Sequence, residues 1–331
     1  MWAAETADLS IDTINRADPT VETGELPDAS GKRRAAVFDR AFDARRDGVE
    51  RSAAIIRLQT LLDRANASPV VIDGYPGQNT TSAIRSFERM HKLPVDGRLD
   101  PDVWTRLLAF QTEPVAKRYE ITQEDADIRL VDLPAEGGEA LKPFDCLCYE
   151  RHSEALAEKF HMDEDLLVAM NPNVDFGEAG TEIAVVDPGE PRTGTVARVE
   201  VDKKEEMVFG YDGSGRMIFA ARATIGSGDM PSPSGEMGIN VVAPEPNYRW
   251  SSETLETGGD KVFFLAAGPN NPVGGTWIDL KKDGYGIHGT PEPATIGRAE
   301  SHGCVRLTNW DAEALGKMVV PGETIVEFTS D

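Results

Sequence analysis

The segment from Gly284 to Asn309 limits the possible folds of this chain more than any other stretch. Its five glycines lie at positions 284, 286, 289, 297 and 303, and prolines at positions 291 and 293 interrupt any helix that would cross it. We therefore predict a bent loop between two short strands. The same segment holds two of the five histidines of the chain and one of its three cysteines.

Cys304 and His288 are the residue types that thiol acyl-transfer chemistry requires. A cysteine thiolate is the nucleophile in that chemistry, and a nearby imidazole takes the thiol proton and later returns it. Gly303 directly precedes Cys304, so two consecutive backbone N–H groups can point at one oxyanion. Arg306 lies on the same side as Cys304 if the segment is extended.

Two other interpretations of these residues are available. Cys304 alone would be a buried small hydrophobic residue, but two histidines and a cysteine among glycines favour function. Zinc is the other chemistry open to His288, His302 and Cys304. They lack the paired short spacings of structural zinc sites, so we predict no metal.

The sequence around these residues resembles the L,D-transpeptidase family, whose catalytic domain is called the YkuD type. The motif is a histidine within Ile-His-Gly-Thr, followed after twelve residues by Ser-His-Gly-Cys-x-Arg. Asn271 to Leu280 and Pro231 to Ile239 are also similar to the surroundings of the site in that family. This resemblance implies a mainly β, sandwich-like catalytic domain over residues 194–331 that needs no cofactor.

The resemblance also assigns roles to individual residues. Cys304 matches the nucleophile and His288 the general base and acid, while the backbone carbonyl of Gly289 matches the group that orients the imidazole. The oxyanion turn then comprises His302, Gly303 and Cys304. Positioning and substrate-binding roles fall to Ser301 and to Arg306, which would hold a substrate carboxylate by a two-pronged contact.

What the resemblance implies is peptidoglycan chemistry on tetrapeptide stems. Cys304 would attack the carbonyl of the third residue, the L-centre of meso-diaminopimelate, and protonated His288 would release the terminal D-alanine. An amine of a neighbouring stem would resolve the thioester into a 3–3 cross-link. Water as acceptor would give an L,D-carboxypeptidase, and a lipoprotein lysine would give lipoprotein attachment.

Two other classes of protein compete with this interpretation. A papain-like protease shares the Cys and His pair but carries its nucleophile early in the chain, on a helix. A cell-wall-binding scaffold would have a degenerate catalytic centre, whereas His288, Gly303 and Cys304 are all intact here.

Composition excludes some partners and leaves the compartment to inference. A net charge of −23 over 331 residues disfavours nucleic acid and anionic membrane surfaces. No apolar run reaches membrane-spanning length, and the first residues lack the features of a signal peptide. Because a wall-building enzyme must be exported, we expect a periplasmic or wall-associated protein whose leader has been removed. Cys146 and Cys148 would be too close together on a strand for easy disulfide closure.

The N-terminal part is predicted to be helical. Residues 1–32 are acidic and poor in large apolar groups, which indicates a flexible arm. A short helix is predicted within residues 33–51. Three apolar stripes between residues 52 and 110 follow, with Asp-Gly turns at 73–74 and 96–97 and a start signal at Asp100-Pro101. Residues 33–112 resemble a three-helix peptidoglycan-binding module, which either binds glycan or serves as a spacer.

A second small module is predicted after a connector at residues 113–142, which itself contains a strand at 127–133. Residues 143–190 show a strand, two helices capped by Ser153 and Asp163, and a closing strand at Glu182 to Val186. This α+β pattern resembles a LysM domain, with Cys146 and Cys148 in its first strand. His152 and His161 are interpreted as surface residues.

The catalytic part is predicted to contain short strands joined by glycine and proline turns, which indicates a sandwich or barrel. The predicted strands are 195–201, 206–211, 216–223, 262–266, 276–280 and 324–328, with a helix at 311–318. Residues 226–235 and 243–259 lack regular signals. The second stretch carries Tyr248 and Trp250, and we expect it to cover the peptide donor as a lid. Its deletion should raise the Michaelis constant or abolish turnover without unfolding the protein.

Overall fold

The computed structural model describes residues 8–22, 26–27, 33–34, 50–226, 232–251, 262–298 and 303–329. The helix predicted within 33–51 lies outside these residues over nearly all of its length. Contacts within the chain define two compact units. The first comprises residues 1–126 and 156–190, and the second comprises residues 127–155 and 191–331.

The helices are numbered in chain order. They are α1 (Ile11–Arg16), α2 (Pro19–Glu22), α3 (Ala53–Arg64), α4 (Gln78–Met90), α5 (Pro101–Leu107), α6 (Gln123–Ala126), α7 (His152–Lys159), α8 (Glu164–Met170) and α9 (Asn309–Met318). None of the helices in the described ranges is both long enough and apolar enough to cross a membrane.

The strands are numbered in the same way. They are β1 (Leu26–Pro27), β2 (Arg33–Arg34), β3 (Ala116–Glu120), β4 (Glu182–Val186), β5 (Arg198–Asp202), β6 (Met207–Tyr211), β7 (Met217–Arg222), β8 (Gly235–Pro244), β9 (Tyr248–Ser251), β10 (Val262–Leu265), β11 (Thr276–Leu280), β12 (Gly286–His288), β13 (Val305–Arg306) and β14 (Ile325–Phe328).

The three helices predicted in the first unit are present as α3, α4 and α5. Asp100 caps α5, because its Oδ1 accepts the Val103 N–H at 2.8 Å. A buried side chain from the preceding helix holds each Asp-Gly turn. Gln59 Oε1 accepts the N–H groups of residues 73 and 74, and Glu88 Oε2 accepts those of residues 96 and 97. The two turns are therefore built in the same way around an amide and a carboxyl group.

The predicted strand containing Cys146 and Cys148 is wrong, and so is the one at 127–133. The partner of β4 is β3, which pairs with it antiparallel over residues 116–120 and 182–186. Helices α7 and α8 lie between these strands in sequence. Asp163 caps α8 as predicted, whereas α7 begins one residue before Ser153. Side chains of β4 and α8 share one hydrophobic core with those of α3 to α5.

Two further predictions in the first unit need correction. Residues 11–22 of the predicted flexible arm form α1 and α2, and Asn15 exchanges two hydrogen bonds with the backbone of Ala116. His161 is not a simple surface residue, since its Nδ1 lies 2.7 Å from Oδ2 of the buried Asp63. The contacts of Asn15 with Ala116 and of His161 with Asp63 join residues far apart in sequence, so the periodicity of the sequence did not predict them.

The second unit contains an eight-stranded sheet and the two-stranded sheet of β9 and β10, so of the two predicted architectures the barrel, and not the sandwich of two packed sheets, is the nearer one. The strand order of the eight-stranded sheet is β13-β12-β11-β8-β14-β5-β6-β7. This sheet curls far enough for its two edges to meet, because Thr224 and Arg306 exchange backbone hydrogen bonds of 2.9 Å beyond the end of β7. Helix α9 packs its Leu315 and Met318 into the core of this sheet. The curl brings β12 and β13 to the point where the sheet closes.

Residues 127–155 pack in the second unit through a disulfide loop. Cys146 and Cys148 are joined by a disulfide bond, contrary to the prediction. They do not lie on a strand, and their Cα atoms are 5.2 Å apart, which suits a disulfide. Leu147 between them is fully buried, donates its N–H to Ala267 and accepts from Asn270. We call residues 146–148 the disulfide loop.

Candidate active site

The sheet places His288 at the end of one strand and Cys304 next to the neighbouring strand. His288 is the last residue of β12, and Cys304 directly precedes β13. The two strands are parallel, with Ile287 opposite Val305 and His288 opposite Arg306. Since side chains alternate along a strand, Cys304, His288 and Arg306 project from one face while Ile287 and Val305 enter the core. The pairing thus brings together the three predicted residues.

His288 is held in one orientation by its own neighbour. Its Nδ1 lies 2.6 Å from the backbone oxygen of Gly289, and a carbonyl oxygen can only accept. Nδ1 therefore carries the proton, which leaves Nε2 as the basic nitrogen. The ring is 5% exposed and stacks on Trp277, with centroids 5.5 Å apart and planes 20° apart. Gly286 permits this stacking, because a Cβ there would lie 2.4 Å from the indole.

The surroundings of Cys304 favour the protonated thiol. Sγ donates to the carbonyl oxygen of Gly284 at 3.6 Å, which only a protonated thiol can do. Burial raises the pKa of the Cys304 thiol, while a hydrogen bond from the backbone of Gly286 and the charge of Arg306 oppose that rise. The thiol is thus the stable form near neutral pH.

Burial acts on the imidazole in the opposite direction. It lowers the pKa of His288 to about 4, the bond to Gly289 opposes this change, and the positive charge of Arg306 adds to it. At rest the site therefore holds a neutral thiol and a neutral imidazole. A neutral imidazole can accept a proton and so serve as a general base.

Arg306 and Tyr248 lie close enough to Cys304 to interact with it electrostatically. Burial raises the pKa of the Tyr248 phenol, a charge on Cys304 raises it further and Arg306 lowers it. The Nε of Arg306 is buried without a hydrogen-bond partner among the described residues. A guanidinium beside the nucleophile can receive a carboxylate. Trp250 instead stacks on Phe263, with ring centroids 4.5 Å apart.

The predicted irregular lid is partly a hairpin. Residues 243–244 end β8, and β9 pairs antiparallel with β10, which places Tyr248 opposite Leu265. Residues 252–261 lie outside the described part of the chain. The same is true of Ser301 and His302, so their predicted roles stay predictions. Gly303 is described: it is buried and has φ +102°, a conformation that glycine adopts readily.

Comparison with known proteins gives matches in both units. Residues 197–327 match the family described as the L,D-transpeptidase catalytic domain, and residues 51–107 match the one described as "Putative peptidoglycan binding domain". The chain is 28% identical over 177 residues to "Putative L,D-transpeptidase YkuD" of Bacillus licheniformis, covering 53% of this chain and 92% of that protein. It is 31% identical over 155 residues to "Putative L,D-transpeptidase YqjB" of Bacillus subtilis, covering 44% and 74%.

The chain belongs to the L,D-transpeptidase family. Among solved structures, an L,D-transpeptidase from Xylanimonas cellulosilytica is 15% identical with a TM-score of 0.35, over 83% of this chain and 92% of that one. One from Mycobacterium smegmatis is 18% identical with a TM-score of 0.33, over 46% and 64%. At those scores the assignment rests on the sequence matches, and the chain is an enzyme of this family.

Two residues of this L,D-transpeptidase site were missed in the sequence. Trp277 covers the His288 ring and is itself fixed by a hydrogen bond from Nε1 to Asp279 at 3.1 Å. Asn309 accepts the Gly275 N–H and donates to Pro269. Its Oδ1 would be 2.2 Å from a Cβ on Gly289, so it packs against the residue that orients the imidazole. The alternation in Thr276–Leu280 pointed to a strand but not to the stacking partner.

The neutral resting pair predicts how Cys304 reacts with iodoacetamide. Because the pKa of the thiol is raised and that of His288 lowered, the thiolate fraction should be small at pH 7 and rise up to and beyond pH 9. We expect the alkylation rate of the transpeptidase to rise steadily with pH, with its midpoint above that of glutathione measured in parallel. A plateau that begins between about pH 4 and 7 would instead reveal a thiolate–imidazolium pair.

Proposed function

We propose that this L,D-transpeptidase forms 3–3 cross-links in peptidoglycan through a thioester on Cys304. The observation that carries the proposal is the pairing of β12 with β13, which sets Cys304 and His288 on one face with Arg306 beside them. Family membership supports an acyl transfer. The identity of the acceptor and the position of the cross-link go beyond family membership and are part of the proposal.

In the acylation step, Nε2 of His288 takes the thiol proton as Sγ attacks the carbonyl carbon of the third stem residue. The negative charge moves to the carbonyl oxygen, which the N–H groups of Gly303 and Cys304 would hold. Collapse of this intermediate breaks the bond to the terminal D-alanine. Protonated His288 gives the proton to the departing amine, so the site returns to neutral imidazole beside a thioester.

In the second step an amine of a neighbouring stem attacks the thioester and regenerates the thiol. His288 takes a proton from the attacking amine and returns one to the sulphur. Water in place of the amine would release a tripeptide. Burial of His288 and the hairpin of β9 and β10 favour exclusion of water, which supports transfer over hydrolysis.

Arg306 is the proposed contact for a substrate carboxylate. Its Nε is buried and lacks a partner among the described residues, and its charge is felt by both His288 and Cys304. A stem peptide brings carboxylates within reach of the scissile bond, and a guanidinium binds such a group through two parallel hydrogen bonds. Tyr248 is the second proposed contact, because it too lies near Cys304.

Peptidoglycan is the partner that both family matches support. We propose that the first unit holds glycan strands, and that its β3-α7-α8-β4 order serves as a LysM-like part of that surface. We also propose that the protein works in the periplasm or the cell wall. The Cys146–Cys148 disulfide supports an oxidising compartment.

The reaction is tested by incubating the full chain with purified disaccharide-tetrapeptide and analysing the products by mass spectrometry. We expect a dimer that has lost one D-alanine and carries a link between two diaminopimelate residues on fragmentation. Tripeptide without dimer would show a carboxypeptidase and contradict cross-linking. If neither product forms, while the protein still binds peptidoglycan, a binding scaffold is the better description.

A further inference from the structure

Ser232 lies close to the backbone of Gly303, the residue directly before Cys304. The proposed mechanism gives the segment that contains Ser232 no role. The segment 232–234 leads directly into β8, which lies between β11 and β14 in the sheet. Ser232 is 5% exposed. A hydroxyl buried to this degree needs hydrogen-bond partners, and both of its partners are backbone groups next to the active site.

Ser232 Oγ donates to the carbonyl oxygen of Gly303 at 2.7 Å and accepts the Gly226 N–H at 3.0 Å. The hydroxyl therefore links Gly303, which precedes Cys304, to Gly226, which lies four residues after the end of β7. Gly303 has φ +102°, a conformation that glycine adopts readily, and its carbonyl oxygen accepts the Ser232 bond in that conformation. The contact is long-range, since 71 positions separate the two residues.

The peptide unit that Ser232 holds is the one that carries the Cys304 N–H. In a trans peptide, the carbonyl oxygen of Gly303 and the N–H of Cys304 point in opposite directions from one rigid plane. Fixing the oxygen on the Ser232 side consequently fixes the direction of the N–H. In the proposed mechanism that N–H is a donor to the oxyanion.

The same bonds also strengthen the donor. The Gly226 N–H, the Ser232 hydroxyl and the Gly303–Cys304 peptide form a chain of hydrogen bonds in which each donor polarises the next. A carbonyl oxygen that accepts a short bond makes the N–H of its peptide unit a better donor. Burial of Ser232 keeps water from competing for either partner.

We infer that Ser232 is a positioning residue for the oxyanion hole, which aims the Cys304 N–H by holding the Gly303 carbonyl. The inference rests on the proposed acyl transfer. It adds the residue that orients the Cys304 N–H towards the oxyanion of the transition state. Ser232 touches neither the substrate nor the sulphur in this role. Its effect should appear only in reactions that develop an oxyanion.

The test compares two reactions of the same thiol. Acylation by a carbapenem passes through a tetrahedral oxyanion, whereas alkylation by iodoacetamide displaces iodide and forms none. Because loss of an oxyanion-hole donor costs about 100- to 1,000-fold in rate, misalignment in Ser232→Ala should slow acylation by about 10- to 100-fold. Alkylation should stay within about twofold of wild type. Both rates are read by mass spectrometry on the full chain, with urea unfolding as a check on folding.

Matched variants separate hydrogen bonding from packing. Ser234→Ala removes an exposed hydroxyl two positions away, which accepts from Lys203, and should leave both rates unchanged. Ser232→Thr keeps the hydroxyl and Ser232→Val replaces it by a methyl group of nearly the same shape. We expect the Thr variant to acylate at least tenfold faster than the Val variant even if both are less stable than wild type.

Three outcomes would overturn the inference. Acylation at the wild-type rate in Ser232→Ala would show that the contact does not aim the donor. Equal losses in acylation and alkylation, or equal acylation by the Thr and Val variants, would show a structural role only. A wild-type protein that is alkylated but never acylated would overturn the proposed function itself, and with it this inference.

Discussion

A Cys304→Ala protein is expected to form no covalent adduct with a carbapenem and no product from a tetrapeptide stem. The strained carbonyl of the β-lactam acylates a thiol, and the ring-opened adduct adds the whole mass of the drug. Cys146 and Cys148 are consumed in the disulfide loop, so Cys304 is the sole cysteine thiol of the chain. Intact-mass spectrometry should show one adduct on wild type and none on the variant.

His288→Ala is expected to lose only part of the acylation rate, whereas Cys304→Ala loses all of it. Without the general base, acylation should slow by about 100- to 10,000-fold at neutral pH, and part of the rate should return at alkaline pH, where the thiolate forms unaided. Retention of the adduct in Cys304→Ala would mean that another group is the nucleophile. An unchanged rate in His288→Ala would remove the imidazole from the mechanism.

The second large effect concerns the stability of the helical unit. Glu88 is 1% exposed, and burial raises the pKa of its carboxyl from 4.5 to about 7 although the N–H groups of residues 96 and 97 oppose this. Between these two values the folded protein holds a proton that the unfolded chain has released. Stability should therefore decrease as the pH rises from 4.5 to about 7, by about 3 kcal/mol at about 1.4 kcal/mol per pKa unit.

Glu88→Gln is expected to remove this dependence. The amide stays neutral and offers an oxygen to the same two N–H groups, as Gln59 does at the Asp73-Gly74 turn. The variant should thus equal wild type at pH 4.5 and exceed it by about 3 kcal/mol at pH 8. Urea unfolding followed by far-ultraviolet circular dichroism, at several pH values, measures the difference.

The control for this experiment is Glu178→Gln, which removes an exposed carboxylate from the same unit. Its unfolding curve should follow wild type at every pH. The free energy of unfolding of Glu88→Gln could instead change with pH between 4.5 and about 7 as much as that of wild type. The carboxyl of Glu88 would then be ionised in the folded state, and the account of its burial would be wrong.

Local signals in the sequence predicted most of the secondary structure. The cap at Asp100, the two Asp-Gly turns and the alternation in residues 276–280 are carried by neighbouring residues, and the structure has each element where it was predicted. The family resemblance predicted that His288 and Cys304 act as a pair, and the glycines and prolines predicted a bent loop between two short strands, which are β12 and β13. The family resemblance also implied the orienting bond to Gly289, which joins consecutive residues.

Contacts between distant segments could not be predicted in this way. The partner of β4 is the strand that begins at Ala116, 66 residues before β4 begins. The residues around Cys146 have the spacing of a strand, and nothing in the local sequence shows that they do not form one. The curl that joins Thr224 to Arg306 depends on the accumulated twist of eight strands. Ser232 and Trp277 likewise act through residues that are remote in sequence or across the sheet, so no single window contains both partners.

The disulfide loop has a consequence for dissecting the protein into parts. Leu147 is hydrogen-bonded to Ala267 and Asn270, which lie about 120 positions further along the chain, and the Asn270 side chain also donates to Cys148. A shortened protein that starts at residue 191 would lose these hydrogen bonds to Ala267 and Asn270 and would expose the apolar surface around Leu265. Work on the isolated enzyme half should therefore supply residues 127–155 as well, as a linked or separately added peptide.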